Sequence, residues 1–80
     1  MTERFLLVVE RVEEGARMLR AFGAEPREWR VVYFGAPLMG LRFERAVVLL
    51  PRENVQQAID FTREMVSLKL PPNVRPEVFG

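Results

Sequence analysis

The side chains best equipped for chemistry are charged or aromatic, and they fall in three groups. Glu10, Glu13 and Glu14 place three carboxylates close together in the chain. Carboxylates do general acid and base work when they converge on a substrate in a shielded cleft. Here they stand where a helix begins, and interaction with the positive end of its dipole accounts for them. Arg27, Trp29 and Arg30 interleave basic and aromatic residues, the composition of a platform for stacking single-stranded bases. The plainer reading is a half-buried Trp anchor with solvated neighbours. Gly35, Ala36, Pro37, Met39, Gly40 and Arg42 make a loop of small residues with one apolar side chain and one cation. Ligands of open α/β sheets bind beyond the carboxyl ends of the strands, where Gly35, Arg11 and Arg52 gather if every strand runs parallel. Two arginines there would hold a phosphate or carboxylate; otherwise they are solvated or pair with Glu10 and Glu53. The candidate binding residues are therefore Arg27, Trp29, Arg30, Gly35, Met39 and Arg42.

Other chemistry is scarce. The chain has no cysteine and no histidine, which removes the thiol nucleophile, the disulfide, the thiolate metal site and the commonest general base. No motif for a metal or cofactor is present, so the expectation is a non-enzymatic protein that needs neither. A net charge of +1 is too small for a nucleic-acid footprint, which leaves nucleic acid as the second choice of partner behind protein. With 49% hydrophobic and 29% charged residues the chain is globular rather than disordered. No run approaches the ~18 apolar residues that span a bilayer, and Met1 to Val9 lacks the features of a secretory signal. A cytoplasmic location is expected by default.

The elements that must position these groups are legible from periodicity. Phe5 to Val9, Val31 to Phe34 and Ala46 to Leu50 are apolar without a break, the pattern of strands covered on both faces rather than one. Val12, Ala16, Leu19 and Phe22 recur at helical spacing, with Glu13 placed to pair with Arg17, and Gly23 closes the helix. Gly15 lies inside it at a cost of about 1 kcal/mol relative to Ala, which is either a sign of close packing on the sheet or without meaning. Tyr33, inside a strand, is expected in the core. Val55, Ala58, Ile59, Met65 and Val66 form the stripe of a second helix, which Phe61 and Leu68 widen beyond a single seam. The domain is expected to span residues 1–70. Residues 71–80, with three prolines, form an extended arm or a last strand.

The order is strand, helix, strand, strand, helix. A three-stranded Rossmann-like βαββα sheet is favoured, with a ferredoxin-like βαββαβ unit as the alternative if strand three is antiparallel and the arm is a fourth strand. Leu38 to Phe43 decides between them, and its length permits either a parallel crossover or a long hairpin. A ferredoxin-like sheet usually bares one face and would alternate, which these runs do not.

Gly40-Leu41-Arg42-Phe43-Glu44-Arg45-Ala46-Val47-Val48-Leu49-Leu50 resembles the segment of P-loop helicases and phage terminases in which a glycine, an arginine and an aromatic precede the Walker B strand. The order of elements from Phe5 to Phe34 is similar too. Where that family carries acids the chain has Leu50-Pro51-Arg52, and it has no phosphate loop. The resemblance, over about half the chain, implies a degenerate fold of this topology without nucleotide hydrolysis, of the kind found in small phage accessory proteins.

Eighty residues bury only about 60–65% of their unfolded surface, so assembly would help. The over-wide second helix and the apolar arm nominate Phe61, Met65, Leu68, Val78 and Phe79 as an interface. The function expected is that of a small protein-interaction module acting as a homo-oligomer.

Overall fold

Four apolar segments pair into one parallel sheet in the computed structural model, which describes residues 3–80. β1 (Phe5–Val9), β2 (Trp29–Tyr33), β3 (Arg45–Leu49) and β4 (Glu77–Phe79) lie in the order β2-β1-β3-β4. Phe5 stands beside Trp29 on one side and Arg45 on the other, and Val48 beside Val78. The sheet thus has four strands rather than the favoured three, because the C-terminal arm ends in β4. The antiparallel pairing required by the ferredoxin-like alternative is absent among the described residues.

Only β1 is buried along both faces. β2 and β3 carry equally apolar runs but are only partly covered, because the run records the side chains and not what the fold places over them. Leu6, Val8, Val32, Ala46 and Val48 point to one face, where Leu38, Phe43, Val66 and Leu70 close the main core. Leu7 and Val9 point to the other, where Leu19 closes a smaller core flanked by Val31 and Val47.

α1 (Val12–Ala21) connects β1 to β2 over the smaller core. It ends in a Schellman turn: the Ala24 N–H donates to the Leu19 carbonyl at 2.9 Å and the Gly23 N–H to Arg20 at 3.1 Å, with Gly23 at φ 71. Left-handed backbone of this kind favours glycine. Phe22, assigned by spacing to the buried stripe, sits in this turn and is 80% exposed. Glu13 and Arg17 form no ion pair among the described residues.

α2 (Val55–Phe61) continues through a π-helical turn at Thr62–Val66 and a 3-10 turn at Ser67–Lys69. The buried Thr62 hydroxyl donates to the Ala58 carbonyl at 2.8 Å, and Ser67 donates to the Thr62 carbonyl at 3.1 Å. The wider turn advances the apolar stripe. Ala58, Thr62 and Val66 face the sheet, and Met65 is left exposed.

β4 is fastened by Arg45, whose guanidinium forms two hydrogen bonds with the Glu77 carboxylate, that from Nη2 to Oε1 at 2.8 Å. Those bonds and the charge of Arg45 hold the Glu77 carboxyl below its ordinary value. A carboxylate with a depressed folded pKa stabilises the fold above its unfolded pKa of about 4.3 and loses that contribution as pH falls through the folded value. The pair is half exposed, so the effect is local and small. Amide exchange by NMR is expected to show β4 losing protection below pH ~4 while β1 keeps its own. Glu77→Gln should remove that step; an unchanged pH profile in the variant would refute it.

Candidate functional site

The strand order determines where the sheet is left bare. The chain steps from β1 outward to β2, then back past β1 to β3 and on to β4. Right-handed parallel crossovers that reverse their direction of travel must switch faces. The first crossover, through α1, therefore lies on one face, while the two later ones, through residues 34–44 and α2, share the other. α1 shields β1 and β2, and among the described residues no helix covers β3 and β4 on the α1 side.

An apolar groove of about 490 Å3 results, lined by Met18 of α1, Phe22 in the turn that follows it, Trp29 of β2, Val47 and Leu49 of β3 and Phe79 of β4. Phe79, at 54% exposure, forms its far wall. Val78, one residue earlier, lines a separate cleft with Ile59 and Pro76 on the α2 side. At the carboxyl end of the sheet the groove opens into a charged crevice formed by Glu10, Arg11, Glu14 and Arg52, with Met18 and Leu49 shared between the two.

That crevice lies between β1 and β3, where the winding changes direction and open α/β sheets usually bind ligands. Arg11 and Arg52 meet there, as expected for parallel strands. Gly35 lines a neighbouring cleft of about 340 Å3 with Glu10, Tyr33, Phe34, Glu53 and Phe61. Tyr33 is not in the core: at the last position of an edge strand it is 53% exposed. Glu10, Glu14, Arg11 and Arg52 are all exposed, so no carboxylate of this group has the shielding that acid–base catalysis uses.

The remaining sequence candidates do not converge. Arg27 lies exposed in the 3-10 turn Pro26–Glu28, at the opposite end of the sheet from Gly35. Trp29 packs its ring 5.1 Å from Phe5. Arg30, the next residue along the strand, points to the opposite face and donates to Glu3 at 2.8 Å. Arg42 donates to the Leu68 carbonyl at 2.8 Å, binding the loop before β3 to the end of the second helical segment. Met39 is 92% exposed and isolated on its turn. The interleaved basic and aromatic side chains therefore do not form one stacking platform.

The interface candidates divide as well. Phe61 turns inward and meets Phe34 edge-on at 6.1 Å, against the main core. Met65 and Leu68 are exposed on the second helical segment. Of the five, Phe79 alone lines the groove. Met18, Phe22, Val47 and Leu49, which complete it, look like ordinary core residues by spacing, and only the strand order exposes their role.

Arg4 ties the amino ends of three strands, donating to Glu44 at 2.8 Å and Glu28 at 3.0 Å. The hydrogen bonds from Arg4 lower the Glu44 pKa and raise that of Arg4 itself. This pole of the sheet is closed by ion pairs, and the groove has one in its lining, Arg45 with Glu77. No helix among the described residues is long and apolar enough to cross a membrane. Comparison with protein-family models, curated proteins and solved structures finds no match to the chain.

Proposed function

We propose that this chain is a non-enzymatic protein-interaction module that works as a homo-oligomer and docks through the apolar groove between α1 and β4. The observation that carries the reading is the uncovered half of the sheet. Val47, Leu49 and Phe79 form part of one apolar surface with Met18 and Phe22, and contiguous apolar patches on small domains mark association surfaces.

In fold terms the chain is a small Rossmann-like unit whose outer layer is incomplete. The strand order and the two-faced winding support this, and the sequence before β3 favours a relationship to degenerate P-loop domains. Leu50, Pro51 and Arg52 stand where that family places its acids, which argues against nucleotide hydrolysis. The nucleic-acid reading has less behind it, since Arg30 and Arg42 are already engaged within the chain and Trp29 packs against Phe5 in a tilted arrangement.

Multi-angle light scattering tests the reading. The wild type at micromolar concentration is expected to exceed its monomer mass of 9.3 kDa. Phe22→Ser with Phe79→Ser should return it to a monomer that stays folded, because both rings are more than half exposed in the single chain, with a melting temperature that no longer depends on protein concentration. A stable wild-type monomer throughout the concentration range would overturn the proposal.

A further inference from the structure

We infer that a second copy of this chain adds to the sheet along the open edge of β2, antiparallel and about a two-fold axis beside Val31. This contact is separate from the groove and does not depend on it.

The backbone bonds fix which way each residue of β2 turns. The Leu50 N–H donates to the Phe79 carbonyl at 2.8 Å, so the even-numbered residues of β3 address β4. Successive strand residues turn their N–H and C=O groups to alternate sides, and in a parallel ladder each bonded residue lies between two bonded residues of its neighbour. Carried through the strand order and register, this leaves Trp29, Val31 and Tyr33 turned away from β1. Two of their polar groups are used at the ends of the strand: the Trp29 N–H donates to the Pro26 carbonyl, and the Tyr33 carbonyl accepts from the Ala36 N–H at 3.1 Å. The Trp29 carbonyl, both groups of Val31 and the Tyr33 N–H have no strand partner among the described residues.

These four groups are complementary to themselves, which is what an isologous contact needs. With Val31 opposite Val31 of the copy, the two residues exchange both bonds, and each Tyr33 N–H meets the other chain's Trp29 carbonyl. The groups already bonded fall opposite each other, so nothing is left unpaired. An antiparallel strand of another protein would bring an N–H and a C=O against groups already taken. Trp29 also comes to stand opposite Tyr33 of the copy, an aromatic cross-strand pair made twice. The other edge of the sheet is blunted: β4 has three residues and Pro76, on its outer side, has no N–H to offer. β2 contains neither proline nor glycine.

Charge agrees with the same axis. Gly15 rests on Val31, Val9 and Leu7, so α1 lies over β1 and β2 together. The two-fold then sets the two α1 helices antiparallel about 10 Å apart, within the range of packed helices. Arg20 lines the small cleft that α1 makes with Trp29 and Val31, on the flank that meets the copy, and Glu13 lies two turns earlier on that flank. Both are exposed, and neither forms an ion pair among the described residues. In the antiparallel pair Glu13 of each helix faces Arg20 of the other.

A contact this small belongs with the weak interfaces, expected at about 1 mM chain and open at the micromolar concentrations where groove association is read. The protein with Phe22→Ser and Phe79→Ser, its groove disabled, isolates it. In an equimolar mixture of isotope-labelled and unlabelled chains at about 1 mM, isotope-filtered NMR is expected to show the Arg30 and Val32 α-protons of different copies in contact, as the non-hydrogen-bonded pair beside Val31. Tyr33→Pro removes two of the four bonds while leaving the β1 ladder whole, and should abolish the signal. Glu13→Arg should weaken pairing about fivefold, and mixing it with Arg20→Glu should restore it. Urea melts establish that each variant is folded; if Tyr33→Pro melts early, the charge exchange carries the test. No signal between copies, a signal between other residues, or a folded Tyr33→Pro protein that pairs like its parent overturns the inference and leaves the groove reading standing. The expected signal together with a wild type that is monomeric at micromolar concentration overturns the groove reading and supports the edge.

Discussion

Gly15→Ala is expected to destabilise this chain by up to about 2 kcal/mol, the net of an overpacking cost and a gain in helix propensity. Gly15 lies in the middle of α1, where Ala would ordinarily add about 1 kcal/mol. Its face lies directly on the sheet: a β-carbon there would stand 2.6 Å from Val31 Cγ1, 3.1 Å from Val9 Cγ2 and 3.4 Å from Leu7 Cδ2. The first distance is far inside van der Waals contact, and the β-branched Val31 side chain has little rotamer freedom with which to retreat. Overpacking of this kind costs about 1–3 kcal/mol, which outweighs the propensity gain. Urea denaturation of four proteins separates the two effects. In a Val31→Ala background the obstructing methyl is gone, and adding Gly15→Ala should then be neutral or stabilising. A coupling between the two substitutions close to zero would show that α1 does not rest on the sheet at Gly15, as would a Gly15→Ala protein more stable than wild type.

The Gly15 case shows what the sequence could and could not say. A glycine at a helical position is read equally as close packing or as nothing, and both the choice between them and the identity of the neighbour depend on strand pairing. The unbroken apolar runs correctly marked a sheet, and the first helix ended where Gly23 allowed. The exposure of Phe22 and Tyr33 was hidden, because periodicity assigns a residue to an apolar face without saying whether that face continues past the edge of an element. The π-helical turn was hidden for a related reason: one wider turn displaces Met65 from the stripe without any change in composition. The groove was the least legible feature. Val47 and Leu49 belong to a core-like run, and they are left partly uncovered only because β3 lies on the far side of β1 from β2, so that α1 cannot reach them.

Strand order, in turn, depends on a segment with neither helix nor strand. Residues 34–44 carry the chain from β2 past β1 to β3, a crossing that a helix usually makes. Their lack of period left the direction of β3 open in the sequence. In the structure this segment forms part of the core layer. Ala36, Leu38 and Phe43 are buried against the sheet, the Leu41 N–H donates to the Leu38 carbonyl at 3.1 Å, and the Phe43 N–H donates to Lys69 at 2.8 Å. The backbone is held by turns and by the end of the second helical segment, and its apolar side chains take the place of a helix face.

Leu38→Ala should therefore behave as a core truncation and not as a loop substitution. Leu38 is 1% exposed, and removing a buried leucine side chain costs about 2–5 kcal/mol through lost transfer energy and the cavity left behind. A core of this size rarely supplies more than about 3–5 kcal/mol of net stability, so the variant is expected to be largely unfolded at 25 °C. Met39→Ala, at the adjacent position but 92% exposed, should stay within about 0.5 kcal/mol of wild type. Circular dichroism melts of the two variants make the comparison. If they are equally stable, the crossover is only a tether, and the cover over Leu6, Val8 and Val32 must come from α2 alone. A large gap between them instead makes the crossover a structural layer. With that face filled by the chain itself, the α1 side is left as the incompletely covered face of the sheet.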